Sequence, residues 1–345
     1  MHAWSKALDP YRRHDDVRAS WEAIVTLVPF IALWTASWWA YSVGLLWLSA
    51  LIAIPAAAFL VRAFMIQHDC GHGSFLSNRQ VSDWVGRILG VLTLTPYGVW
   101  KRTHALHHAT CGNLDRRGIG DIDTLTIAEY ANLSRLRRWA YRVYRHPLVL
   151  FGFGPAYLFF IQQRVPVGLM RSGWGPWISS QGTNVSIAAG VGGLMWLMGP
   201  AAFAFVYLPI MLLAASTGVW LFYVQHQFEH TSWAEGDRWK YVDAALNGSS
   251  FYDLPPVLHW FTANIGVHHV HHLCSRVPYH RLMSVLNEFP ELRNTSRITL
   301  GQSFRMVRLT LWDDQRRILV SFAEAESRLM QESLQERQRA VRAPG

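Results

Sequence analysis

Four of the chain's sixteen histidines stand within five consecutive positions, in Asn264-Ile265-Gly266-Val267-His268-His269-Val270-His271-His272-Leu273. Two more clusters lie upstream, His68-Asp69-Cys70-Gly71-His72 and His104-Ala105-Leu106-His107-His108. Each buried neutral imidazole keeps an acceptor nitrogen that needs a donor or a metal, so packing alone explains such density poorly. Side chains four apart share a helical face, which points His68 with His72 and His104 with His108, His107 lying close by. The third cluster adds His268, His271 and His272, and His226 in Tyr223-Val224-Gln225-His226-Gln227-Phe228-Glu229-His230 is a further candidate. A first-row metal accepts at most about six ligands and structural zinc takes four, so eight or nine converging imidazoles require two metals. Imidazole suits zinc, copper, iron and nickel alike, so ligand type tells the number of metals before their identity.

Other chemistries find little support. No Ser-His-Asp or Cys-His nucleophile arrangement and no phosphate-cradling glycine loop stands out. Cys70, Cys111 and Cys274 are odd in number and lack CxxC spacing, so neither a disulfide framework nor a zinc knuckle is suggested. They read as small packing residues.

The elements that must carry the histidines are membrane helices. Hydrophobic residues make up 51% of the chain and charged ones 16%, with many of the 17 Trp near the ends of apolar runs, as in an interfacial belt. No Asp, Glu, Lys or Arg occurs from Ala23 to Val61, nor from Ser172 to Phe228. At about 20 apolar residues per crossing, these runs hold spans at 23–41 and 45–66, turning near Ser42-Val43-Gly44, and at 183–199 and 201–223, turning at Gly199-Pro200. Residues 88–100, with Pro96 and Gly98, are apolar but too short to span and read as interfacial or re-entrant, and residues 148–163, with Gly152, Gly154 and Pro155, read as interfacial. The expected fold is an all-α integral membrane protein forming a single domain. It has four transmembrane helices in two hairpins plus interfacial helices, capped by a cytoplasmic helical domain that holds the metal site. Segments 1–22, 67–182 and 224–345 then lie in the cytoplasm or at its membrane surface, with both termini and every histidine cluster on that side. The uncharged outer turns put all Lys and Arg there too, as the positive-inside rule asks. The formal charge of +9 suits membrane lipid or an acidic protein, and the long apolar runs argue against nucleic acid. The basic stretch Arg135, Arg137, Arg138, Arg142 and Arg145 is either a solvated face or a match for anionic head groups.

A paired redox metal at the cytoplasmic ends of membrane helices, where an acyl chain can lower into an apolar cavity, points to oxygen activation at an unreactive C–H bond. Soluble di-iron bundles build such sites from Glu and His; here nearly all ligands would be neutral. The boxes HDCGH, HALHH and NIGVHHVHHL, with HHATCGNLDRRGIGD and YVQHQFE between them, resemble the membrane-bound fatty acid desaturases, most of all the bacterial and cyanobacterial acyl-lipid delta-12 type, over residues 60 to 280. The resemblance implies a non-haem di-iron centre of two iron ions, with molecular oxygen and two electrons consumed as a cis double bond enters an acyl chain. It implies as ligands His68, His72, His104, His107, His108, His226, His268, His271 and His272, with Asn264 acting through water. His269, Asp69, Asp115, Asp121 and Glu229 are expected to support the ligands rather than bind metal.

The chain departs from the pattern at His230, where Asp is common, and at Cys111, where Ser is common. His2, His14, His146, His259 and His280 read as surface or structural. The chain carries no His-Pro-Gly-Gly haem motif, which implies a separate electron donor; a small acidic ferredoxin suits the basic face. The expected location is a bacterial inner membrane. The acyl group is expected on lipid, carrier protein or coenzyme A. A fatty acyl hydroxylase on the same scaffold is the nearest alternative, and a histidine-rich metal transporter, with ligands near the membrane midplane, a remote one.

Overall fold

The computed structural model describes residues 2–118 and 120–342. Met1, Ile119 and 343–345, which the domain limits above include, lie outside the described residues, as does the side chain of His2. Among the described residues eight helices run ten residues or longer. They are α1 (Asp16–Ser42), α2 (Leu46–His72), α3 (Arg79–Leu92), α4 (Tyr97–Thr110), α5 (Arg135–Tyr144), α6 (Trp174–Met198), α7 (Pro200–His226) and α8 (Phe322–Arg342). The all-helical expectation is modified by two small sheets. One pairs β1 (Leu125–Thr126) in parallel with β4 (Leu311–Asp313), which turns back into β5 (Ile318–Val320). The other pairs β2 (Phe251–Asp253) in parallel with β3 (Arg297–Thr299).

The first hairpin forms where the sequence places it, with helices longer than the apolar runs. Asp15 caps α1 by accepting the Arg18 N–H. Gly44, at φ 80°, turns the chain, and Ser37 Oγ donates to the Ser49 carbonyl to tie α1 to α2. Helix α2 runs on to His72 and stops at Gly73, whose φ of 67° is the left-handed conformation that glycine adopts without cost. At 1.5 Å per residue its 27 residues reach about 40 Å, longer than the roughly 30 Å hydrocarbon core, and His68 and His72 stand in its last turns. Helix α7 also has 27 residues and ends at His226. Buried Ala53, Ala56 and Ala57 of α2 pack in one cluster with Val206, Ile210 and Ala214 of α7. Small residues let helices approach closely, which matters where lipid offers no hydrophobic drive to associate.

Three helices, α1, α2 and α7, are long and apolar enough to cross a membrane. The span expected at 183–199 falls in α6, which is long enough at 25 residues. Ser179, Ser180, Gln181, Thr183, Asn184 and Ser186, together with its glycines, dilute its apolar character. The segment 88–100 is not a single element. It is divided between the end of α3 and the start of α4 by a tight turn, in which Leu94 adopts φ 55° before Pro96. Residues 148–163 form a π-turn at Val149–Phe153 and a short helix at Gly154–Phe160, too short to cross.

A buried ion pair joins the first hairpin to the segment that follows the third histidine cluster. Arg62 pairs with Glu22, takes Thr26 Oγ1 at 3.1 Å, donates to the Trp260 carbonyl and lies 4.1 Å above the Trp260 ring. Tyr279 donates to the same Glu22 carboxylate at 3.3 Å. Removing one partner strands the other charge in a low-dielectric site. Glu22→Gln should therefore cost about 3–5 kcal/mol, and a double replacement of Glu22 and Arg62 by leucine should restore much of it. Thermal unfolding in detergent checks this; equal melting temperatures for wild type and Glu22→Gln would refute it.

Candidate metal centre

Four elements converge at one end of the long helices. Helix α2 delivers His68 and His72 from its last turns, α4 delivers His104, His107 and His108, α7 delivers His226, and the short helix His268–Leu273 delivers the remaining three. In that short helix His268, His271 and His272 stand at i, i+3 and i+4, one face, while His269 is turned away.

The nine imidazoles divide into two groups. His68, His72, His104, His108 and His271 place one ring nitrogen each within 4.8 Å of the others. Within this group the Nε2 of His108 stands 3.1 Å from that of His104 and 3.1 Å from that of His271. His72 Nε2 is buried there with no hydrogen-bond partner. In the second group the Nε2 of His226 lies 3.1 Å from that of His107 and 3.0 Å from that of His268, and His268 Nε2 lies 3.1 Å from His272 Nε2.

The outer nitrogens decide what the inner ones present. His107 Nδ1 faces Asp121 Oδ1 at 2.5 Å, and His226 Nδ1 faces the Gly248 carbonyl at 3.1 Å. A carbonyl and an ionised carboxylate only accept, so both histidines carry their proton on Nδ1. Their Nε2 atoms, both without a proton, then stand 3.1 Å apart, an arrangement that repels unless both lone pairs converge on one cation. His68 is held likewise, Nδ1 to Asp69 Oδ1 at 3.2 Å, while Asp69 Oδ2 accepts the Tyr279 N–H. Two nitrogens at right angles on a metal about 2.1 Å away are about 3.0 Å apart, which is the spacing observed. Burial first, and the neighbouring imidazoles second, hold His104, His108, His271 and His272 well below the ordinary imidazole value, so they are neutral and free to ligate. The residues present thus fit two metal ions, five histidines around one and, around the other, His107, His226 and His272, whose ligand atoms lie within 4.8 Å of one another, joined by His268 at 3.0 Å from His226.

Cys111 also stands beside the second group, its Sγ 3.4 Å from His226. That contact is to Nδ1, the edge opposite the convergent Nε2 atoms, so the thiol lies behind His226 rather than among the ligands. The supporting residues fare unequally. Asp69 and Asp121 each orient a histidine. Asp115 and Glu229 are exposed; the Asp115 carboxylate accepts the Gly236 N–H, and Glu229 offers its backbone carbonyl to Leu319 beside β5. Asn264, at φ 56°, directs its amide to the Tyr279 carbonyl at 3.4 Å. His269 is fully buried and bonds the Leu292 carbonyl through Nε2 at 3.0 Å, holding the short helix to the following segment. Burial pulls its pKa down to about 4, so it too stays neutral.

Several contributors escape a reading of the histidine boxes. Trp100 stacks on His104, ring centroids 4.6 Å apart; its signal was the spacing of four, one turn before that histidine. Gly248 supplies the carbonyl for His226, and Tyr241 donates to the His272 carbonyl at 2.6 Å. Nothing local marks those two, because they act from distant segments. Gly71 is the close-approach position, since a methyl there would stand 2.7 Å from the Trp100 ring. Gly71→Ala should push Trp100 against His104, costing about 1–3 kcal/mol and lowering metal content. Metal analysis alongside a melting curve checks this, and two unchanged values would mean the ring has room to move.

The model of the fatty acid desaturase family matches residues 45–302. A fatty acid desaturase of Bacillus subtilis (strain 168) is 43% identical over 298 residues, 86% of this chain and 84% of that protein. An sn-1 acyl-lipid omega-3 desaturase (ferredoxin) of Synechocystis is 27% identical over 64% of this chain and 61% of its own. An sn-1 oleoyl-lipid 12-desaturase of Arthrospira platensis is 22% identical over 77% and 75%. The match takes in all three histidine clusters and His226, the residues whose side chains meet at the ends of α2, α4 and α7. This chain belongs to the fatty acid desaturase family and is an oxidoreductase.

Proposed function

We propose that the protein is a membrane fatty acyl desaturase that introduces a cis double bond of the delta-12 type, with two irons as its metals. The observation that carries this reading is the close approach of the His107 and His226 Nε2 atoms, 3.1 Å apart with each Nδ1 held by an acceptor, inside a cage of nine imidazoles of which seven are buried and His72 and His104 half-buried. His68, His72, His104, His108 and His271 would hold one iron. His107, His226, His268 and His272 would hold the other, and Asn264 would act through water on one of the two. When bound, the metals supply the oxidising power that molecular oxygen and two electrons deliver to an unactivated C–H bond. Overall, the acyl chain gives up two hydrogens from adjacent carbons, and oxygen, two electrons and two protons leave as two waters.

The chain's own residues orient and shield. Asp121 and Asp69 fix the ring planes of His107 and His68, and the Gly248 carbonyl fixes that of His226. Burial of the cage keeps bulk water from the reacting carbon. Helix α6 joins α7 as a second hairpin across Gly199-Pro200, giving four spans and a cytoplasmic active site in a bacterial plasma membrane. Relatives described as ferredoxin-dependent support a small acidic ferredoxin as donor to the basic face. His68, His72 and His226 stand in the last turns of 27-residue helices rather than midway along them, which does not suit a transporter.

The test is expression of the full chain in a host fed a defined monounsaturated acid, with gas chromatography and mass spectrometry of the products. A new diunsaturated acid with its second bond at carbon 12 is expected, together with two irons per purified chain. A hydroxylated product without new unsaturation would mean the related oxygenase. A bond at another carbon would correct the delta-12 assignment alone.

A further inference from the structure

The five arginines of residues 135–145 do not act alike. Arg138 donates to the carbonyls of Leu133 and Ala131, and Arg142 pairs with Tyr130 and Glu326. Arg145 is buried, donating to the Asp123 carbonyl, to Gln227 Oε1 and to the Leu309 carbonyl. Arg135 and Arg137 remain, both exposed and with no side-chain partner among the described residues. Between and beyond them Leu136, Trp139 and Val143 form an apolar row at i, i+3 and i+7, and Leu136 and Trp139 are 73% and 62% exposed. The opposite face of α5 is occupied, with Tyr141 buried among Tyr130, Leu311 and Val320.

We propose that α5 is an in-plane anchor for anionic lipid, with Leu136, Trp139 and Val143 in the acyl boundary and Arg135 and Arg137 on the head-group phosphates. Two placements favour lipid over an acidic protein. Arg145, at the end of α5, is bonded to Gln227, the residue after the last one of α7, so this end of the helix lies level with the end of a candidate span. The chain then runs on into residues 148–161, which pack against α7 through Leu150 and Phe151 and leave Leu148, Phe153, Tyr157 and Ile161 bare. The apolar row of α5 thus continues an apolar surface beside a span. The same spacing, with Trp again central, recurs on α3 as exposed Val81, Trp84 and Ile88, where Arg87 stands 4.8 Å over the Trp84 ring. A single apolar row flanked by cations is the form of an interfacial helix.

This inference rests on the reading of α1, α2 and α7 as spans, not on the desaturation chemistry. A nitroxide on Leu136→Cys, in full-length protein with Cys274 replaced by alanine, reports depth in nanodiscs by its relative exposure to oxygen and to a nickel chelate. The companion label, Ile31→Cys in α1, tests the spans. In discs of phosphatidylcholine with phosphatidylglycerol the label at 136 should favour oxygen. In phosphatidylcholine alone, or with Arg135→Gln and Arg137→Gln, it should move toward water, since each arginine contributes roughly fivefold to partitioning. A label at 136 equally open to nickel in both lipids, with the label at 31 deep, would overturn the anchor. Protection that appears only on adding an acidic ferredoxin would overturn it in favour of a protein partner. A label at 31 open to nickel would instead remove the membrane reading beneath it.

Discussion

His226→Ala should abolish desaturation and strip metal from the purified protein, while His230→Ala should leave both close to wild type. His226 is the hub of the four-histidine group, its Nε2 within 3.1 Å of His107 and 3.0 Å of His268. Its Nδ1 proton is committed to the Gly248 carbonyl, so its only free function is to offer a lone pair inward. Loss of a residue that merely orients a ligand costs about 10–100-fold in affinity or activity, and loss of the ligand itself should exceed that. His230, four residues on, is exposed and outside the cage. Product analysis and iron determination on the two variants decide the matter. Equal activity in wild type and His226→Ala would remove His226 from the ligand set.

Asp121→Asn is the second large effect, and its contrast is Asp115→Asn in the same polar segment. Asp121 faces His107 Nδ1 at 2.5 Å and gives that ring a negative partner, which both selects the tautomer and raises the basicity of Nε2. An amide keeps an oxygen to accept the proton but loses the charge, so metal retention against a chelator should weaken about 10–100-fold. Asp115 is exposed and serves the Gly236 backbone, so its amide variant should hold metal as wild type does. Equal retention by the two variants would show that charge at Asp121 is immaterial.

The contrast between those two aspartates marks how far local sequence reaches. Both lie in one polar stretch after the second histidine cluster, and spacing along the chain gave them equal standing. One meets His107 only because the segment folds back beneath α4. The same limit applies to residues 88–100, whose apolar run hid the turn at Leu94 that ends α3 and starts α4. Trp100 was within reach, since it precedes His104 by one turn.

What the sequence determined by itself were the features governed by repeats of a few residues. The hairpin turn near Gly44 and the helical face shared by His68 and His72 follow from the backbone freedom of glycine and from helical periodicity. The shared face of His268, His271 and His272 follows from 3.6 residues per turn, while the setting aside of His269 came from the resemblance to the desaturase pattern. Tertiary structure alone decided the division of nine histidines into five and four, the tautomers of His107 and His226, and the sorting of Asp121 from Asp115. Each depends on which atoms from remote segments face a ring nitrogen. Periodicity cannot encode that, because the partners, Gly248 for His226 and Tyr279 for Asp69, come into contact only when distant elements pack together.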